Sequence, residues 1–363
     1  MVRPEVLDAQ SLDWPGVQMN PVARADGLLG IVAEHPDPAR LAAFLVDFGL
    51  DHCADAVPTK PILLRATDGG DWCYSIQPGA SPKIVGLAFR MRDTPSARDV
   101  AAVLQSPITD SPFPGGGICI SCVDPLGTRV FLVWDCKWST IGSADQQPDN
   151  SAGRSGRINQ PRPSQPARAI IRRAGHCVWR TPDLRGAVTW YARHLGLIAS
   201  DVQTLPSGEP ALVFLRCDRG EMASDHHTMV FSLSPSIMFG HVAFEVDDID
   251  TLALGQQFLR SAGWQHRWGL GRHAKGSQVF DYWIAPGGIE HEHYADGDLL
   301  TADFPTRYSP FTLASLWSWG HDLPPPPPVA IPDRLQWPVG VAAELSAALG
   351  TPGRAWQTRG EPT

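Results

Sequence analysis

The chain has 363 residues, of which 43% are hydrophobic and 19% charged, and its net charge is −8. That composition excludes a disordered tail or a fibre, and at about 150 residues per domain the length predicts two domains. The acidic balance and the lack of any basic run argue against nucleic acid as a partner.

No stretch approaches the ~18 apolar residues of a membrane span. The opening MVRPEVLDAQSLDW has no apolar signal-peptide core, so a cytoplasmic protein with no membrane partner is expected. Seven cysteines at irregular spacing do not read as a disulfide framework. Cys119-Ile-Ser-Cys122 has half the spacing of a zinc site, but no second CxxC completes it. It lies in a strand-like run, where residues three apart face opposite sides, so buried thiols are expected there. Glycine and proline number 34 each, a surplus that predicts many short elements and turns.

In chain order, residues 1–27 read as an irregular arm. From Leu28 an apolar run (LLGIVA) leads into Pro-Asp-Pro and a helical stretch (ARLAAFLVDF) that ends at Gly49. Proline near a helix start and glycine past its end are the expected punctuation. Strand-like PILLRA, DWCYSIQ and IVGLAFRM follow, then a helix (SARDVAAVLQ) and the strands GICISCV and TRVFLVW. This part, 28–136, reads as βαββ repeated twice. Residues 137–168 are rich in Ser, Gln, Pro and Arg and read as a linker.

The pattern then recurs over 169–297. AIIRRAGHCVWR is a strand, and DLRGAVTWYARHL is a helix with Leu184, Val188, Tyr191 and Leu195 on one face. ALVFLRC, HTMVFSL and FGHVAFEV are strands. A helix near 248–262 precedes the strands QVFDYWIA and IEHEHYA. Phe48-Gly49-Leu50 echoes Leu195-Gly196-Leu197, and Asp124-Pro125-Leu126-Gly127 echoes Ala285-Pro286-Gly287-Gly288. The two parts read as an internal duplication. The tail, 298–363, carries five prolines at 324–328, expected as polyproline II within a strap packed over the domain or a lid over a site.

Only His35 and His52 of the twelve histidines precede residue 175. His176, His241 and Glu292 each lie in an otherwise apolar strand. One such residue alone is more often a satisfied core residue. Three at corresponding places in successive units fit the 2-His-1-carboxylate set of non-haem iron enzymes.

The segment Gly271-Arg272-His273 … Tyr282-Trp283-Ile284-Ala285-Pro286-Gly287-Gly288 … Glu292 resembles the signature of type I extradiol ring-cleaving dioxygenases of the vicinal oxygen chelate superfamily. Asp281 departs from it, since an apolar residue is expected before Tyr282. The resemblance spans residues ~28–300 and implies an α+β fold of two domains, each a pair of βαβββ modules. It implies His176, His241 and Glu292 as metal ligands, with Fe(II) as the metal and Mn(II) as the alternative. Glu290 competes with Glu292, and the family's Pro-x-Gly-x-x-x-Glu spacing selects Glu292. His227 matches the acid/base histidine, His273 a second histidine over the site, and Tyr282 a tyrosine that hydrogen-bonds the substrate. Val178, two residues past His176 on the same strand face, is expected to line the ring pocket, and His226, the neighbour of His227 that could be confused with it, is expected to bind substrate.

The first half lacks these ligands: Leu29, Gly86 and Phe131 are expected at the equivalent positions. The resemblance implies a homo-oligomeric enzyme whose partners are O2 and a small aromatic diol, cleaved next to the diol. A glyoxalase-like isomerase, an oxygenase of the 4-hydroxyphenylpyruvate type, and a non-catalytic binding protein of the same fold are the competing readings. His194, His266, His291, His293 and His321 read as bystanders.

Overall fold

A computed structural model describes residues 20–53, 61–93, 95–139, 150–323 and 335–350. The first sheet is built from β1 (Ala25–His35), β2 (Asp51–His52), β3 (Ile62–Arg65), β4 (Tyr74–Pro78), β5 (Lys83–Met91), β6 (Thr109–Asp110), β7 (Ile118–Val123) and β8 (Arg129–Trp134). Its order is β2-β3-β4-β1-β5-β8-β7-β6. Helix α1 (Pro38–Phe48) follows β1 and α2 (Ala97–Leu104) follows β5, so the sheet is two βαβββ units joined where β1 meets β5.

A small hairpin, β9 (Asn150–Ser151) and β10 (Arg154–Ser155), precedes the second sheet. There the units are β11 (Ile171–Thr181), α3 (Leu184–Leu195), β12 (Leu197–Thr204), β13 (Pro210–Cys217), β14 (Ser224–Asp225) and β15 (Met229–Leu233), then β16 (Met238–Val246), α4 (Ile249–Ser261), β17 (Gln265–His273), β18 (Val279–Ile284) and β19 (Glu290–Ala295). The tail adds β20 (Leu299–Leu300), which pairs with β14, and then β21 (Arg307–Pro310), β22 (Trp317–Gly320) and α5 (Val341–Gly350). The order β21-β12-β13-β15-β11-β16-β19-β18-β17-β22 repeats that of the first sheet, with one tail strand added at each edge. The chain is thus α+β, with the paired βαβββ architecture of the vicinal oxygen chelate fold.

Each unit has one strand more than the βαββ pattern read from the sequence. In the first sheet the extra strands, β2 and β6, are two residues long. In the second they are β12 and β17, whose polar residues hide the period-two signal. The helices fall where apolar spacing puts them. An aspartate or serine caps each of the four main ones: Asp37 accepts from Arg40 N, Ser96 from Asp99 N, Asp183 from Gly186 N and Asp248 from Thr251 N. α3 ends at Gly196, whose φ of 66° is left-handed and suits glycine.

One continuous set of buried apolar side chains runs through both sheets. Polar contacts cross between them as well. Tyr191 donates to Asp124 (2.8 Å), Trp264 Nε1 donates to Asp47 (2.8 Å), and His35 Nε2 meets the Pro286 carbonyl (3.0 Å). Two of the expected bystanders belong to this interface. His293 is fully buried, donates to the Phe48 carbonyl (2.7 Å) and stacks on the Phe48 ring. His291 contacts the Tyr74 hydroxyl (3.2 Å).

None of the seven cysteines is in a disulfide. Cys119 is buried, and burial pushes its thiol up to about 11 and that of Cys122 up to about 12. No helix among the described residues is long and apolar enough to cross a membrane. The proline run at 324–328 lies outside the described residues.

Candidate active site

Strand register gathers the site. β11 and β16 are antiparallel with His176 beside Ala243, and β16 and β19 are parallel with Ala243 beside Glu292. Tyr282 on β18 is paired with Glu292, and Trp268 on β17 with Tyr282. These five residues therefore form one rung on one face of the sheet. The small Ala243 separates His176 from Glu292. His241, two residues before Ala243, projects from the next rung on the same face.

The three chemical groups converge. His176 Nε2 lies 3.2 Å and His241 Nε2 3.0 Å from Glu292 Oε2, and the two nitrogens are 3.4 Å apart. Ligand atoms about 2.1 Å from one ion and at right angles to each other would be about 3 Å apart. Glu292 is fully buried, yet neither of its oxygens accepts a well-formed hydrogen bond. A buried carboxylate without such partners is costly, and a cation facing it and two imidazole lone pairs would offset that cost. The residues present therefore fit a divalent metal. Among the described residues this is the only such cluster of three His, Cys, Asp or Glu side chains. Burial opposes ionisation of Glu292, but contacts with His176, His241 and His273 prevail and hold it well below the usual carboxylate range. Burial also lowers His176, which keeps its ring neutral, as a metal ligand must be.

His227 sits on the turn between β14 and β15, its ring centroid 4.1 Å from that of His176. Backbone bonds from Thr228 N to Leu215 O (2.7 Å) and from Cys177 N to Thr228 O (3.1 Å) fix that turn. Arg173 holds Asp225 through two hydrogen bonds of 2.7 and 2.8 Å. Burial, then the neighbouring His176 and His226, depress His227 well below the ordinary histidine value.

At the end of β17, His273 Nδ1 donates to the Leu316 carbonyl (2.9 Å). That leaves its Nε2 free to accept from the Tyr282 hydroxyl (2.9 Å). Burial, reinforced by Glu292, pushes Tyr282 well above its usual value, so it stays a neutral donor.

His176, His227, His241, His273 and Tyr282 open onto a cavity of about 380 Å³, and Val178 is part of its wall. His226 does not line it and instead stands behind His227, which corrects its expected place against the substrate. Glu290 also reaches the cavity, but it is paired with Arg267 (3.3 Å) and lies apart from the converging set. Asp281 points to the other face of β18, where His266, Gln256 and Trp283 donate to it. The pairing of β18 with β19 is unbroken there.

Sequence reasoning missed much of the cavity wall. Trp268 and Lys275 line it, and the tail contributes Phe311, Leu313, Leu316, Leu323, Leu345 and Leu349. Only the strap or lid expectation hinted at the tail residues.

The corresponding place in the first sheet is filled. Pairing of Ile31 with Tyr74 there, and of Cys177 with Met229 here, makes Gly30 the counterpart of His176 and Trp72 that of His227. The expected counterpart, Leu29, is one residue off. Gly86 and Phe131 do match His241 and Glu292. Trp72 stacks on Phe113, which meets Phe131 edge-on. A Cβ at Gly30 would come 2.8 Å from the Trp72 ring, and one at Gly86 2.9 Å from the Phe131 ring. Two glycines thus make room for an aromatic plug where the second half has its polar site.

Residues 173–285 match the Glyoxalase/Bleomycin resistance protein/Dioxygenase superfamily. They form a domain of that superfamily. The chain is 28% identical to metapyrocatechase 2 of Cupriavidus necator over 296 residues, covering 80% of this chain and 88% of that one. Among solved structures, a Mn(II)-bound glyoxalase from Novosphingobium aromaticivorans superposes with a TM-score of 0.67 at 20% identity, over 86% of this chain and 98% of that one. Homoprotocatechuate 2,3-dioxygenase from Brevibacterium fuscum, in complex with 3,4-dihydroxyphenylacetate, also gives 0.67, at 16% identity over 83% of this chain and 90% of that one. At these identities the two structures establish the shared fold.

Proposed function

We propose that this chain is an extradiol dioxygenase that inserts both atoms of O2 into a catechol-type diol and opens the ring beside it, giving a muconic semialdehyde-type product. The observation that carries the reading is the facial set His176, His241 and Glu292 opening onto a cavity that also holds His227, His273 and Tyr282. The relatives support it, since metapyrocatechase 2 and homoprotocatechuate 2,3-dioxygenase are named for such chemistry.

The ligand set would hold Fe(II), or Mn(II) as the alternative, which supplies chelation and acidification of a vicinal diol and a path for electrons from diol to dioxygen. His227 takes a proton from the diol and returns one during cleavage. Tyr282 and His273 form a hydrogen-bonded pair beside the ligands and stabilise charge on the ring oxygens. The apolar wall keeps water out and holds the ring. Two cations lining the cavity are already engaged, Arg267 with Glu290 and Lys275 with Asp201, while Arg180 is exposed. With the tail leucines as the facing wall, the site favours a catechol carrying an apolar substituent over a carboxylated one. Seven cysteines outside any disulfide fit a reducing compartment, which supports a cytoplasmic location.

The test is anaerobic loading with Fe(II) or Mn(II), metal analysis, and addition of catechols followed by air. A yellow ring-fission product is expected. Bound metal with no product from any monocyclic or bicyclic catechol refutes the reading.

A further inference from the structure

Two side chains behind His227 have no part in the chemistry described so far. His226 is 1% exposed and Asp201 0%. Asp201 Oδ2 lies 2.7 Å from His226 Nε2, and His226 Nδ1 lies 3.0 Å from His227 Nδ1. The chain of contacts is therefore Asp201, His226, His227, and then the cavity. Its place is built: Ser200 donates to the His226 carbonyl (2.6 Å), and Gly276 has no side chain where a Cβ would come 2.9 Å from His226 Nδ1.

Proton positions follow from the partners. A carboxylate only accepts, so His226 Nε2 carries a proton. Arg307 also approaches that nitrogen, but at 3.3 Å, and it has Asp201 as its own partner. With Nε2 protonated, Nδ1 of a neutral His226 is a lone pair. Two Nδ1 atoms 3.0 Å apart share one proton, so it belongs to His227. The remaining nitrogen of His227, Nε2, is on the far side of the ring from His226 and has the free lone pair. A His226 with both protons would reverse this, but it would set a third cation on a carboxylate already shared by Lys275 (3.3 Å) and Arg307.

We propose that Asp201 and His226 are positioning residues: a buried relay that locks His227 in its Nδ1–H tautomer and so leaves Nε2 as the proton-accepting atom beside the diol. This deepens the ring-cleavage reading and rests on it for the role of His227. When His227 Nε2 accepts the diol proton, the ring becomes cationic, and the hydrogen bonds through His226 face that charge toward Asp201. Asp201 is suited to this end of the chain: burial opposes its charge, but His226, Lys275 and Arg307 keep it below the usual carboxylate range.

The test reads the tautomer directly. Metal-free protein labelled with ¹⁵N-histidine is examined by NMR, where protonated and unprotonated ring nitrogens resonate far apart. His227 is expected to show a protonated Nδ1 and a bare Nε2. In Asp201→Asn the amide donates to His226 Nε2, so both rings should invert. Turnover of the iron-loaded variant should then fall by about 10³–10⁴-fold, as inverted tautomers do in related dyads, with catechol affinity little changed. Asp201→Glu keeps an acceptor and should retain both the wild-type pattern and turnover to within about 10-fold.

A wild-type His227 protonated on Nε2 overturns the relay whether or not the variants fold. So does an Asp201→Asn protein that inverts its tautomers yet cleaves catechols at the wild-type rate. Absence of ring cleavage in the wild type would instead strike the functional reading, and the NMR result would still decide the tautomer.

Discussion

Burial holds His291 and His293 neutral at the junction of the two sheets, lowering them from 6.5 to about 4 and about 3. Because both folded values lie below the unfolded one, protons favour the unfolded chain. The stability these rings contribute is complete above about pH 7.5 and is lost as pH falls below 6.5 toward the folded values. At pH 5 each ring costs about 2 kcal/mol relative to pH 8, taking 1.36 kcal/mol per unit over the 1.5 units below 6.5.

His293→Gln isolates one of them. The glutamine amide can still donate to the Phe48 carbonyl, but the stacking on Phe48 at 3.7 Å is lost, about 1 kcal/mol. The variant should therefore be about 1 kcal/mol less stable than wild type at pH 8 and about 1 kcal/mol more stable at pH 5, with the order reversing near about pH 6. Urea unfolding of both metal-free proteins across that range reads the difference and cancels every other titration they share. Parallel pH profiles with no crossing would refute a neutral, buried His293.

Glu292→Gln should remove metal binding without harming the fold. A metal at 100 times its Kd stabilises by about 2.7 kcal/mol, which over a chain of this length raises Tm by about 4 °C. Calorimetry should show that rise in wild type, and an equal rise in Glu292→Gln would exclude Glu292 as a ligand. Leu345→Ala trims the tail wall of the cavity, so kcat/KM for a catechol with a large apolar substituent should fall by about 10-fold, with unsubstituted catechol changed less than about 2-fold. Equal losses for both substrates would argue against a substituent pocket under α5.

The sequence by itself marked His176, His241 and Glu292 because polar residues interrupt strands that are otherwise apolar, and such residues need a reason to be there. It also marked the duplication and the helices, which rest on local signals: apolar spacing, a proline near the helix start, and a glycine past the helix end. The short strands β2 and β6 left no trace, since two residues carry no period. Linear echoes place Leu29 opposite His176 in place of Gly30 because the echo of Gly49 with Gly196 lies past helices of unequal length, 11 residues in α1 and 12 in α3.

Tertiary structure alone decided the rest. His226 and His227 are adjacent in sequence, and only packing against Asp201 on β12 sends one ring behind the other. His291, Glu292 and His293 alternate on one strand, so strand period separates their faces. One face meets Phe48 and Tyr74 of the first half, more than 200 residues away, and the other meets His176 and His241 of β11 and β16. The leucines of the tail acquire their function as a wall in the same way, through contacts that no local pattern encodes.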